Sequence, residues 1–388
     1  MATPASFPRQ LLERSAEDRF DYFRNHTVAH TVLKEVDEAV MQAIEQPAGT
    51  SLVFVFGPTG VGKTTLLLHI QKRLIEASQK DRQEEKGHIP VASMEAAASD
   101  SRNFDWKEYY RRALMTLNEP LIGHKVDYPS RSSRRNRNGH MIFNAKPATS
   151  ELRLALEDAL RYRRLRAFIV DEAQHLTKMA SGRKLQDQLD CVKSLANMTG
   201  TVHLLVGTYE LLTLRNLSGQ LSRRSADVHF RRYRADSAAD AKAFQSVLWD
   251  FQRHLPVAQE PELLRHWQYC YERTIGCVGV LKTWLMKSLA EVIRVGAPSI
   301  TLQHLEKHAL SVSQCVSMST EALQGEEALS DTEESRDKLH DLLGIKTQSP
   351  VSAESESEGT LSPKPVHHRV AQRKPYRDPI GINPHAAQ

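Results

Sequence analysis

The stretch Ser51–Ile70 reads SLVFVFGPTGVGKTTLLLHI, and the rest of the chain is organised around it. An apolar, β-rich run, Leu52 to Phe56, leads straight into Gly57-Pro-Thr-Gly-Val-Gly-Lys63-Thr64, and Thr65, Leu66, Leu67, Leu68 and Ile70 continue as a buried helix. Strand, loop and helix in that order make a phosphate cradle. Glycines let backbone N–H groups close around a β-phosphate, and the opening helix adds its positive end. Lys63 can reach the outer phosphates, Thr64 can hold Mg2+, and every position of GxxxxGK(S/T) is filled. An ordinary Gly-rich turn does not bring this strand and helix with it, so the stretch reads as a nucleoside triphosphate site.

An acidic half of the same site lies downstream. Ala167-Phe-Ile-Val170 is a short apolar strand followed at once by Asp171 and Glu172. Asp171 at the strand's C-terminal edge can hold the magnesium shell, and Glu172 can polarise an attacking water. A strand-end Asp-Glu pair is common in isolation; the phosphate loop upstream gives this one its meaning. Thr201-Val-His-Leu-Leu-Val-Gly207 is another buried strand, ending in Thr208. Thr208 either senses a γ-phosphate or is a satisfied strand-end hydroxyl. From Arg215 to Arg234 six arginines face one acid, Asp227. A planar, permanent charge can reach a neighbouring subunit's γ-phosphate and stabilise its transition state. Lys282, just after Gly276-Cys-Val-Gly279, is placed to reach back over a nucleotide.

With 388 residues the chain has room for two or three domains and a sizeable core. Its formal net charge of +5 is modest but uneven. Between Gly123 and Ser150, Lys125, Arg131, Arg134, Arg135, Arg137 and Lys146 face Asp127 alone, a local excess of +5 equal to that of the whole chain. Such a run is a solvated loop unless the rest of the chain argues for nucleic acid, when it becomes a phosphate-backbone contact. No apolar run is long enough to span a bilayer, and the N-terminus MATPASFPRQ lacks the apolar stretch of a signal peptide, so a cytoplasmic protein without a membrane partner is expected. Cys191, Cys270, Cys277 and Cys315 have neither CxxC nor zinc-ligand spacing and read as free, buried thiols.

Strands at about 51–56, 89–94, 167–170, 202–206 and 228–230, separated by helical stretches, imply an α/β fold with a parallel, doubly wound sheet. Four segments are expected: a helical lead-in over 1–48, a nucleotide-binding core over 49–235, a helical lid over 236–320 and a disordered tail over 321–388. In the lead-in Phe20, Phe23, Val28, Val32, Val36 and Val40 recur at helical steps. In the tail, residues 321–363 hold eleven acids against three basic residues, and 364–378 reverse the sign.

The order GPTGVGKT, FIVDE, a polar strand end, paired arginines and a GxxG helical start resembles the AAA+ ATPases. Within them, FDWKEYYRRALMTLNEP, VDEAQHL, LLVGTYELL, QLSRR and GCVGVLKTWL are similar to the TniB/TnsC-type transposition regulators, relatives of the phage MuB protein, over roughly residues 20–310. The nucleotide motifs are common to all AAA+ proteins; the FxWxxYYxxAL…LxEP run points to transposition. The resemblance implies a five-stranded AAA+ sheet with a C-terminal helical lid. It also implies an ATP-dependent oligomer, ring or helical filament, that coats double-stranded DNA, marks a target site and recruits a transposase under a target-selector protein.

By motif position, Gly57, Thr59, Gly60, Val61, Gly62, Lys63, Thr64 and Thr65 would cradle ATP, with Thr64 and Asp171 holding Mg2+. Glu172 would activate water, Thr208 act as first sensor, Arg223 or Arg224 as the finger donated in trans, and Lys282 as second sensor. Thr208 stands where Asn is usual and Lys282 where Arg is usual, which implies slow, switch-like hydrolysis. Lys107, Arg111 and Lys125, then Arg131, Arg134, Arg135 and Arg137, are the candidate DNA-backbone contacts. The alternative is a helicase loader or replication-type AAA+ ATPase, which would prefer single strands.

Overall fold

The fold was taken from a computed structural model, in which residues 6–97, 104–124, 134–135, 141–142, 148–177, 183–216 and 225–345 are described. Seven strands follow in chain order: β1 Leu52–Phe56, β2 Val91–Glu95, β3 Arg134–Arg135, β4 Met141–Ile142, β5 Ala167–Asp171, β6 Val202–Gly207 and β7 Ser225–His229. Five of them form one sheet in the order β2-β5-β6-β1-β7, with every neighbouring pair parallel. The strands lie within a few residues of their expected positions; β7 begins three residues early, at Ser225.

Parallel strands are buried on both faces, which is why β1, β5 and β6 read as continuous apolar runs. Their side chains still alternate between two cores. Leu52, Phe54 and Phe56 join Tyr109, Leu114, Leu156, Leu160, Leu189 and Leu195. Val53 and Val55 join Val36, Val40, Leu66 and Ile70 on the other face. The helices supplying these layers are α1 Ala16–Asn25, α2 Thr31–Glu45, α3 Lys63–Ala77, α4 Gln79–Glu84, α5 Trp106–Thr116, α6 Thr149–Tyr162, α7 Arg183–Thr199 and α8 Leu212–Arg215. Insertion of β6 between β1 and β5 places the ends of all three strands side by side, at the carboxyl edge where doubly wound sheets bind ligands.

The lead-in is helical, with a 3-10 turn at Arg9–Glu13 followed by α1 and α2. It breaks at His26–His30, and the His30 ring caps α2 by accepting the Leu33 N–H at 3.3 Å. The lid comprises α9 Ala238–His254, α10 Trp267–Thr274, α11 Val278–Val295, α12 Leu302–His308 and α13 Val312–Leu329. Phe244, Leu248 and Phe251 of α9 pack with Leu281, Leu285 and Leu289 of α11, and Phe23 of α1 meets Phe251 edge-on at 5.8 Å.

One boundary is corrected. Residues from 321 were expected to be unstructured, yet α13 runs unbroken to Leu329, with Ala322 fully buried. Its inward face is built of small residues, Ala322 and Gly325, so it carries little apolar signal while still permitting close packing. The described residues from Asp331 on belong to a separate unit, which begins with α14, Glu333–Leu343, capped by the Thr332 hydroxyl and ended by Gly344 at φ 69°. The rest of the expected tail, 346–388, lies outside the described residues. All four cysteines are free, and Cys270, Cys277 and Cys315 are buried. Among the described residues no helix is long and apolar enough to cross a membrane.

Candidate nucleotide site

Gly57 to Gly62 form the loop between β1 and α3. Gly60 and Gly62 sit at φ +77° and +120°, a region that side chains with a Cβ rarely adopt. The loop is tightly packed. A Cβ at Gly57 would lie 2.5 Å from the Phe230 carbonyl oxygen, and one at Gly60 would lie 2.5 Å from Val280 Cγ2. The lid grips it from above: the Val280 N–H donates to the Gly60 carbonyl at 3.0 Å, and Gly279 lies so close that a Cβ there would meet the same oxygen at 2.5 Å. The first N–H groups of α3 lack intrahelical partners by construction and point out of this loop.

Lys63 begins α3 and is buried, with its ammonium donating to the carbonyls of Gly57 and Pro58 at 3.0 Å each. Burial holds that ammonium below the usual lysine range, while Glu172 and Asp171 pull the other way. Asp171 ends β5, and its Oδ1 accepts the Glu172 N–H at 2.9 Å. Desolvation raises the Asp171 carboxyl above its ordinary value, opposed by that backbone bond and by Lys63. Glu172 is left-handed, at φ 50°, a conformation unusual for a residue with a Cβ.

Gln174 is the residue that the sequence reading missed. Its amide nitrogen donates to Glu172, and its Oε1 accepts the Thr208 N–H at 3.2 Å, so it ties the end of β5 to the end of β6. Gly207 makes room for it, because a Cβ there would overlap Gln174 Oε1. Its signal was its place in VDEAQHL, two residues beyond the acidic pair. Thr208 also carries a buried hydroxyl without a hydrogen-bond partner among the described residues, beside the loop.

These groups line one cavity of about 1030 Å3. Thr59, Gly60, Gly62, Lys63, Thr64 and Thr65 form one side and Glu172, Gln174 and Thr208 another. Lid residues Gly279 and Lys282 form a third, and α13 the fourth, through Met318, Glu321, Ala322 and Gly325. The Lys282 ammonium donates to the Arg24 carbonyl at 2.7 Å, so in this conformation the expected second sensor is spent on the end of α1, although the residue lines the cavity. A smaller apolar recess adjoins it, formed by Thr27, Val28, His30, Val61, Phe230 and Val278. There His30 Nδ1 pairs with the Tyr233 hydroxyl at 2.9 Å, and burial pushes its imidazole down to about 4.

The arginine-rich stretch is mostly satisfied within the chain. Arg215 pairs with Asp227, Arg231 with Asp240, Arg232 with Glu326 and Arg234 with Asp236. The candidate fingers Arg223 and Arg224 lie outside the described residues. Among the candidate DNA contacts, Lys107 and Arg111 lie on α5, where Arg111 and Arg112 share the single carboxylate of Glu108. Those guanidiniums, Arg111 first, hold the Glu108 carboxyl down at about 2. Arg134 and Arg135 form β3, paired antiparallel with Met141–Ile142; Lys125, Arg131 and Arg137 are outside the described residues.

Residues 46–215 match a protein-family profile described as an AAA domain. That span, less than half of the chain, contains the phosphate loop, Lys63, Asp171 and Thr208. Among solved structures, the Aeropyrum pernix ORC2 protein in its ADP form is similar with a TM-score of 0.48 at 15% identity, covering 76% of this chain and 72% of that one. The Aeropyrum pernix ORC1 protein in complex with DNA gives 0.47 at 16%, covering 77% and 68%, and Drosophila ORC bound to DNA gives 0.47 at 12%, covering 90% and 84%. No curated protein matches the sequence.

Proposed function

We propose that the chain is a slow ATPase that assembles as a ring or filament on double-stranded DNA, marks a transposition target and recruits the transposase, with hydrolysis loosening the assembly. The observation that carries the ATPase part is that Lys63, Glu172 and Thr208 line one cavity under the lid, with Asp171 near enough to act on the Lys63 ammonium. Lys63 would exchange its two carbonyl partners for the outer phosphates, a nearly even trade for a cation already held dry. Glu172 would polarise water, with Gln174 fixing its carboxylate and reporting the state of the site to Thr208.

The Thr64 hydroxyl and the Asp171 carboxylate fit magnesium, both being hard oxygen donors, and Asp171 is a partly desolvated carboxylate near Lys63. A bound magnesium ion would neutralise charge developing between the β- and γ-phosphates. The finger would come from Arg223 or Arg224 of a second copy, so that ATP strengthens assembly by linkage.

The DNA and transposition parts rest on the resemblance of the FDWKEYYRRAL run and on the two arginines to one acid along α5. Basic groups repeated in each subunit would track the phosphate backbone without reading bases. Electron microscopy of the protein with a non-hydrolysable ATP analogue and duplex DNA tests the scaffold. A regular nucleotide-dependent array is expected, and a persistent monomer would end the proposal. Stimulation of strand transfer by an integrase-type transposase encoded alongside tests the last step; preference for single strands would favour the replication-type alternative instead.

A further inference from the structure

Helix α13, the last helix of the lid, forms one wall of the nucleotide cavity. It lines the cavity with Met318, Glu321, Ala322, Gln324 and Gly325, of which Ala322 and Gly325 are buried. Gly325 lies flat on the Tyr209 ring, leaving no room for a Cβ, and Tyr209 directly follows Thr208. Glu326 receives two hydrogen bonds from Arg232, at 2.8 and 3.2 Å, with the side chains only 12% and 10% exposed. At its other end Cys315 packs against Ile275 and Cys277, where the lid meets the phosphate loop. So α13 is seated beside Thr208, the residue proposed to sense the γ-phosphate.

Two further features distinguish it from an ordinary core helix. Its outward face carries Val312, Val316 and Leu323 at 58%, 59% and 53% exposure, an apolar stripe on the side away from its seat. Glu321, itself exposed, lies at the edge of the cavity that Glu172 also lines, where a triphosphate would add more negative charge. A helix with a second apolar face and an acid at the cavity edge is poised to sit in either of two places.

Building on the shared-site reading above, we propose that α13 is a displaceable strap standing where a second copy of this chain must approach to complete the site. The surface under it, Thr208, Tyr209 and Arg232, is then the docking surface for that copy, and strap and neighbour exclude each other. The Arg232–Glu326 pair is the latch. A largely desolvated ion pair fixes one arrangement strongly while contributing little net stability, so it can be exchanged for another without loss of the core. On release Arg232 keeps its bond to the Ile275 carbonyl, at 3.3 Å, and stays in place. Triphosphate beside Glu321 biases the strap outward, and arrival of a second subunit holds it there.

The test uses the full chain with a non-hydrolysable ATP analogue, magnesium and duplex DNA, following assembly by sedimentation and the α13 amides by hydrogen exchange. On assembly the amides over 313–329 should exchange roughly tenfold faster or more. Glu326→Ala should assemble at several-fold lower protein concentration than the parent. Glu326→Gln, which keeps the side chain's shape, should shift in the same direction, separating unlatching from misfolding. Assembly with α13 as protected as before, or latch variants with an unchanged threshold, would overturn the strap and leave the shared site standing. If neither parent nor variants assemble, the shared site fails and the strap with it.

Discussion

The side-chain carbonyl of Gln174 accepts the backbone N–H of Thr208 at 3.2 Å, while the amide nitrogen of the same side chain holds Glu172. The residue proposed to activate water and the residue proposed to sense phosphate are therefore parts of one hydrogen-bonded unit. Gln174→Ala would free the Glu172 carboxylate and leave the Thr208 N–H unsatisfied, a penalty of about 1–3 kcal/mol for a buried donor. The expected outcome is hydrolysis slowed about tenfold or more with ATP still bound. Steady-state turnover beside equilibrium nucleotide binding reads this, and unchanged turnover would remove Gln174 from the site.

Lys63 and Glu172 should separate binding from chemistry. Lys63→Ala deletes the buried ammonium on the loop carbonyls and should abolish the rise in melting temperature with ATP. Glu172→Gln should keep that rise and lose turnover by about two orders of magnitude or more. Equal loss of both properties in both variants would contradict the division of roles.

Gly279 is where the lid touches the phosphate loop. Gly279→Ala would force a Cβ to 2.5 Å from the Gly60 carbonyl oxygen, backbone against backbone, so the lid must shift. A cost of about 1–3 kcal/mol is expected for such overpacking, together with weaker nucleotide binding. Chemical denaturation and nucleotide titration measure the two. A variant as stable and as tight-binding as the parent would show that the lid tolerates a side chain at this approach.

Acid should destabilise the fold through two neutral histidines. His30 and His203 are buried, and desolvation lowers each imidazole from 6.5 to about 4. Because the folded values lie below the unfolded one, the unfolded chain binds more protons between them. Stability contributed by keeping these rings neutral is complete above pH 6.5 and falls as pH drops towards 4, by on the order of 3 kcal/mol for each ring. Below 4 these two groups add no further slope. His203→Leu removes one titrating ring, which has the Thr201 carbonyl at 3.1 Å, and should flatten the pH dependence of urea unfolding by about one proton. An unaltered slope would mean that other groups carry it.

Basic residues of α5 should control affinity for duplex DNA without altering sequence preference. Replacing both Lys107 and Arg111 by Ala should weaken binding and reduce the slope of log affinity against log salt by up to about 0.9 for each phosphate no longer neutralised. Fluorescence anisotropy across a salt series provides the check. Identical slopes would remove α5 from the interface and leave the basic segment of residues 125–137 to be tested.

The central motifs were legible because each is local. A strand feeding a glycine loop and a helix, and an apolar strand ending in Asp171-Glu172, are patterns of neighbouring residues whose backbone preferences and burial periods act within one or two elements. Five parallel strands follow from such runs alternating with helices, and all five lie within a few residues of where the chain's pattern puts them. The cysteine spacing likewise marks four free thiols, of which Cys270, Cys277 and Cys315 are buried as expected and Cys191 is only half-buried. Tertiary structure alone decided the pairings between distant residues. Arg232 looked like one more member of a basic run and is matched to Glu326, ninety-four positions away. Lys282 is turned onto the Arg24 carbonyl, 258 positions away. Part of an acidic segment that reads as linker becomes a wall of the cavity, because Gly325 is small enough to lie against Tyr209 while Ala322 packs in the cluster of Ile275 and Cys277. Local sequence carries propensity and period; which charge meets which, and which face becomes a wall, depends on shapes that exist only once the layers have packed.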